Sequence, residues 1–232
     1  MQPNIFVSFS LAVCAAVAVV VMADLEVHTS HGKVRGSQYE WKDGSIVNAW
    51  RGIPFGQPPV LDLRWRSPQP VEDWSGTKNC TSLKPACIQP DGTGDEDCLY
   101  LNVYATGKPK SSKPLPVMFY IYGGSLMSGA ANAEYGAFVS HAGNGEGVIV
   151  VEVSYRLNML GFLAFAELSQ EQGGVSGNYG IQDQVLGLQW VKENIAKFSE
   201  FAVISDISCE MVALKMFPSV SFMIQLATFT PA

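Results

Sequence analysis

Residues 148–153 read Val-Ile-Val-Val-Glu-Val, an apolar and almost wholly β-branched run whose length fits a strand rather than a helix. It lacks the alternation of a strand with one wet face. It therefore predicts a strand covered on both faces, which only a layered fold provides. Two further apolar strand-like runs precede it, at 99–104 and 115–121. Residues 25–36 predict two short strands around a Gly turn, and residues 46–56 another strand that ends in a Gly/Pro loop. Residues 57–90 are crowded with Pro, Trp and turn formers and predict irregular surface coil. Residues 180–198 form the clear amphipathic helix, with Ile181, Val185, Leu188, Val191 and Ile195 on one stripe and Trp190 beside it. Strands alternating with helical or loop crossovers predict an α/β layer architecture, and no internal repeat interrupts it.

The run at 115–121 stops on Tyr122-Gly123-Gly124-Ser125, where side chains almost vanish. Two consecutive glycines let backbone N–H groups approach another group closely, and an oxygen carrying negative charge gains most from that. A plain tight turn has the same local sequence, so the neighbouring residues must decide between the two.

Of the 232 residues 47% are hydrophobic and 16% charged, with a net charge of −6, which is a globular composition. Neither a basic patch nor a long charge run points to nucleic acid. Residues 11–22 are uncharged, and Val21 and Ala23 are small residues at the two positions a signal peptidase reads. Twelve apolar residues are too few to span a bilayer comfortably, so residues 1–23 are expected to be a secretory signal and no membrane span is expected. Secretion removes Cys14 and leaves Cys80, Cys87, Cys98 and Cys209 in an oxidising compartment. The step from Cys87 to Cys98 is one that a disulfide can close, while Cys80 and Cys209 have no obvious partner. Asn79-Cys80-Thr81 matches the acceptor pattern for N-glycosylation. No metal site and no cofactor are expected.

The segment from Glu96 to Tyr104, EDCLYLNVY, resembles a signature of the type-B carboxylesterases, the group that contains the cholinesterases and their adhesion relatives. RGIPFGQPPVLDLRWRSPQPVEDWSG, VVEVSYRLNMLGFL and GNYGIQDQVLGLQWVKENIAKF resemble three more blocks of that family, in the family's order, over about residues 25–198. The resemblance implies the N-terminal portion of an α/β-hydrolase fold, a mixed and mostly parallel sheet flanked by helices. It also implies a role for Gly123, Gly124 and Ser125 as half of an oxyanion hole, with the backbones of Gly124 and Ser125 as donors. Ser125 stands where the family usually has a third glycine. The resemblance further implies a Cys87–Cys98 disulfide, and structural roles for Arg156, Asn178 and Asp183 as buried groups that tie loops to the sheet. The implied substrate of a full-length relative is a small carboxylic ester.

Ester hydrolysis by this route needs a serine in G-x-S-x-G, followed later in the chain by an acid and a histidine. No serine here completes that pattern, and His28, His31 and His141 all precede the place where the nucleophile belongs. After Phe198 the chain leaves the family's pattern. Residues 24–198 are thus expected to be the family domain's N-terminal part, and residues 199–232 a divergent tail. The expected product is an esterase chain truncated before its nucleophile and inactive alone. The alternative is a cholinesterase-like binding or adhesion protein with a protein partner. The strand at 148–153 is expected to lie at an open edge, beside the missing nucleophile strand.

Overall fold

The structure is a computed structural model that describes residues 25–41, 44–107, 115–132 and 147–198, and the backbone of Ile207–Glu210. Near the N-terminus β1 (Glu26–His28) and β2 (Lys33–Arg35) form the expected hairpin, and β5 (Thr77–Asn79) joins β2 in parallel to make a three-stranded sheet. The larger sheet contains β3 (Ser37–Glu40), β4 (Ile46–Pro54), β6 (Tyr100–Thr106), β7 (Val117–Ile121), β8 (Ile149–Val153) and β9 (Ile207–Glu210). Its order is β3-β4-β6-β8-β7-β9.

The pairings β3–β4, β4–β6 and β6–β8 are antiparallel, while β8–β7 and β7–β9 are parallel. The described sheet is therefore mixed, with its parallel part at the β8-β7-β9 end. Every residue of β8 is buried, as its unbroken apolar run requires. Ile149, Val151 and Val153 join the main core with Leu101, Val103, Phe119, Trp190 and Ile195. Val150 belongs to a second cluster with Val47, Ala49 and Tyr104. Each fully buried aliphatic or aromatic side chain of this kind contributes roughly 1.5–3 kcal/mol.

One expectation about β8 is corrected. It is not an edge strand, because β6 and β7 pair with its two sides. The strand that reaches outward is β7, and β9 from the tail pairs with it in register, Val117 opposite Ile207 and Tyr120 opposite Glu210. Residues 57–90 are mostly irregular as expected, apart from β5 and a 3-10 turn at Leu61–Leu63.

Among the described residues three α-helices follow β8: α1 (Asn158–Phe162), α2 (Ala166–Glu171) and α3 (Tyr179–Asn194), the last continued by a 3-10 turn at Ile195–Phe198. The buried face of α3 is Tyr179, Gly180, Asp183, Gln184, Gly187, Trp190, Val191 and Asn194. Its expected stripe is thus wrong at its N-terminal half, and Val185 is 48% exposed. The helix approaches the sheet so closely at Gly187 that an added Cβ would lie 2.7 Å from Val153 Cγ2. Glycine, not a large apolar residue, is what that contact admits. No helix among the described residues is long and apolar enough to cross a membrane.

Candidate functional site

The glycine loop leaves the C-terminal end of β7, where parallel strands of an open α/β sheet present their ligand sites. Tyr122 enters it buried, and its hydroxyl donates to Tyr155 O at 2.9 Å while the Tyr155 hydroxyl donates to Tyr122 O at 2.9 Å. The two rings stack with centroids 4.4 Å apart, so the strand end is clasped to the segment that follows β8. Burial pushes the Tyr155 phenol up to about 12 and the Tyr122 phenol higher still, so both act as neutral hydrogen-bonding groups.

Beyond the clasp the backbone turns left-handed. Gly124 has φ 135°, and Ser125 and Leu126 have φ 56° and 63°. A Cβ on Gly124 would run into the Ser128 carbonyl, so only glycine fits there. Two successive non-glycine residues in the left-handed region are uncommon and persist only where the surroundings hold them. The Gly124 carbonyl accepts from Met127 N at 3.0 Å and Ser128 N at 3.2 Å, closing the turn. The N–H groups of Gly124 and Ser125 donate to no described group, and Ser125 is exposed. The arrangement presents two adjacent backbone donors to whatever occupies the space in front of them.

The disulfide joins Cys87 to Cys98 with Cα atoms 5.0 Å apart, and both residues are buried. Asn79 is exposed on β5, beside a Cys80 that is only 2% exposed. Burial pushes the Cys80 thiol up to about 11 against the pull of Lys84 and Lys78, so Cys80 is an inert core group and not a reactive thiol. Cys14, His141 and the side chain of Cys209 lie outside the described residues.

Arg156 and Asp183 form a buried pair, with Nη2 to Oδ1 at 2.8 Å and both Nε and the backbone N of Arg156 to Oδ2 at 2.9 Å. Burial pushes the Asp183 carboxyl up, and the three Arg156 donors oppose that shift. Asn178 differs from its expected role. It is exposed, and its contribution is a backbone at φ 56° whose carbonyl accepts from Ile181 N and Gln182 N to start α3. The buried amide tie is Asn194, which accepts from Ser30 N at 2.6 Å and donates to Ser30 Oγ and Trp190 O.

Two polar groups near the loop were not foreseen. Asn102 on β6 donates to Ala131 O at 2.9 Å and to Glu152 Oε2 at 3.0 Å, and accepts from Gly52 N. Gln89, two residues after Cys87, donates to Gly129 O and accepts from Gly129 N, each at 2.9 Å. No local pattern marks either residue, because both act on chain segments distant in sequence. His31 meets Asp73 at 2.9 Å, and His28 meets Glu26 at 3.6 Å. A recess lined by Arg64, Glu96, Arg156, Leu160 and the disulfide contains no residue of the glycine loop. Among the described residues no cluster of three His, Cys, Asp or Glu could hold a metal ion.

A family model described as the carboxylesterase family matches residues 23–199. The chain is 40% identical over 181 residues to a fumonisin B1 esterase of Sphingopyxis macrogoltabida, a match covering 74% of this chain and 32% of that protein. It is 39% identical over 192 residues to carboxylesterase 1E of Mus musculus, covering 74% and 33%. It is 37% identical over 182 residues to a probable cholinesterase of Acanthamoeba polyphaga mimivirus, covering 75% and 31%. The chain thus spans about a third of the length of these relatives.

Proposed function

We propose a function from one premise: this chain belongs to the carboxylesterase family. Its glycine loop is the oxyanion side of an ester-hydrolysing site. When a nucleophile attacks the carbonyl carbon of a small carboxylic ester, the carbonyl oxygen takes up negative charge. The Gly124 and Ser125 N–H groups would meet that oxygen. Two pre-aimed donors cost no reorganisation at that moment, and loss of one such donor in a complete site costs roughly 10²–10³-fold in rate. The observation that carries this reading is the pair of N–H groups without a described acceptor, on a left-handed turn at the C-terminal end of a parallel strand.

In this reading Gly123 is the spacer that starts the turn, Ser125 keeps the donor of a third glycine, and residues 1–232 supply no nucleophile. They contain no G-x-S-x-G, and a serine hydroxyl without an adjacent base is a poor nucleophile. The 232 residues alone therefore do not hydrolyse esters by the serine mechanism. Residues 1–23 serve as a secretory signal, residues 24–198 as the N-terminal part of the family domain and residues 199–232 as a divergent tail. Asn79 carries the glycan on an exposed edge.

The test is expression of the full 232-residue chain in a eukaryotic secretory host, followed by assay on a short-chain p-nitrophenyl ester with and without an organophosphate. The expected product is a secreted chain beginning at Asp24, heavier by one glycan, whose turnover is unaffected by the organophosphate. Stoichiometric loss of turnover would refute the inactive reading, because it requires an activated serine. A retained N-terminus would refute the signal assignment.

A further inference from the structure

We propose that Gln89 is the positioning residue of the glycine loop, and that the disulfide-closed segment from Cys87 to Cys98 acts on the Gly124 and Ser125 donors through it. The inference rests on the reading of those two N–H groups as oxyanion donors. The Gln89 side-chain amide treats Gly129 as a neighbouring strand would, accepting from its N–H and donating to its carbonyl, both at 2.9 Å. The same Nε2 also donates to Cys87 O at 2.7 Å, which ties the amide back to the disulfide. Gly129 in turn is stacked on the start of the turn. Its backbone is at φ 123°, and a Cβ there would lie 2.5 Å from both the Gly123 carbonyl oxygen and Tyr122 Cδ2. A displacement of Gly129 is therefore a displacement of Gly123 and of the donors that follow it.

A second tie runs in the same direction. Asn158 Nδ2 donates to Ile88 O at 2.8 Å, and Asn158 N donates to Leu126 O at 2.8 Å. Leu126, next to the donors, and Gly129, packed against Gly123 before them, are thus both fastened to the Cys87–Gln89 segment, Gly129 directly and Leu126 through Asn158. The donors themselves make no hydrogen bond to any described group, so their direction in space depends on these outside ties. In a mere filler role the amide would satisfy its own polarity on water. Here it matches both polar groups of one glycine that no side chain could replace.

The test is hydrogen exchange on the full chain, comparing wild type with Gln89→Ala and Gln89→Glu, each variant rate divided by the wild-type rate at the same pH. Losing both hydrogen bonds to Gly129, along with the one to Cys87 O, in Gln89→Ala is expected to speed exchange at Met127, Ser128 and Gly129 on the order of tenfold, with β7 and β8 amides unchanged. Gln89→Glu separates positioning from packing. As a protonated acid it keeps one donor and one acceptor, enough for Gly129 without the Cys87 tie, so its exchange ratio should fall towards the wild-type value as pH is lowered to 4. As a carboxylate it faces the Gly129 and Cys87 carbonyls without a donor, so at pH 8 it should approach Gln89→Ala. Unchanged exchange at Met127–Gly129 in both variants overturns the proposal. So does a pH-independent Gln89→Glu ratio, or an equal acceleration in β8. A further arm titrates wild type with phenylphosphonate and follows the Gly124 and Ser125 amide signals by NMR. Loop loosening in Gln89→Ala without any phosphonate response supports the positioning role while refuting the oxyanion reading.

Discussion

Glu152 is the residue at which the physical demands of this fold conflict most openly. It sits inside the apolar run of β8 with no exposed surface, one carboxylate oxygen held by Asn102 and the other, Oε1, without a hydrogen-bond partner among the described residues. Burial pushes its carboxyl up to about 8, against the Asn102 hydrogen bond and the Arg51 charge, which favour the ionised form. The folded chain thus keeps a proton that the unfolded chain releases from about pH 4.5 upward. Stability is fully present below that lower value, falls as pH rises towards about 8, and is level above it; the loss is on the order of a few kcal/mol. Glu152→Gln keeps an acceptor for Asn102 and cannot ionise. It should melt with wild type at pH 4 and above it at pH 8.5. A melting difference that is the same at both pH values would refute the assignment. The sequence shows Glu152 plainly as a charge within a buried strand. Its partner, 50 residues earlier, is visible only once β6 and β8 are paired, with Asn102 opposite Glu152.

At the scale of elements, α3 shows where periodicity misleads. The apolar stripe through Ile181 and Val185 predicts one buried face, yet the helix buries Gly180, Asp183, Gln184, Gly187 and Asn194. Two causes rotate it. Gly187 allows the helix axis close to Val153 and Phe119, and the buried polar groups on that face are paid for by specific partners, Arg156 for Asp183 and Ser30 for Asn194. Hydropathy ranks such residues as surface, since their partners lie elsewhere in the chain. Asp183→Asn should accordingly destabilise the chain by about 3–5 kcal/mol in urea unfolding, because it strands a buried guanidinium. Replacing both partners, Arg156→Met with Asp183→Leu, should cost less than Asp183→Asn alone. A double variant that loses as much or more would contradict the desolvation argument. The element ends were more legible than the face. The helix was expected over 180–198, and α3 with its 3-10 extension occupies 179–198, because Asn178 turns the chain left-handed at its start.

For the whole molecule, the sheet is continued beyond β7 by the backbone of Ile207–Glu210. Without it β7 would expose a row of unpaired N–H and C=O groups, the edge that favours pairing with other chains. A chain ended at Phe198 is therefore expected to aggregate on refolding, while the 232-residue chain sediments as a smaller species. A monomeric, cooperatively melting 1–198 chain would contradict the stabilising role of β9. What the sequence determined by itself is what depends on neighbouring residues: the β-branched run that must be buried, the glycine pair that bares backbone donors, the ordered blocks of the carboxylesterase family. Only the tertiary structure decided which strand lies beside which, which face of α3 is inside, and that Gln89, Asn102 and Tyr155 hold the glycine loop. The hold on the loop joins residues 29 to 40 positions apart and the face of α3 is fixed by partners as far as 164 positions away, and pairings at such separations leave no local pattern to read.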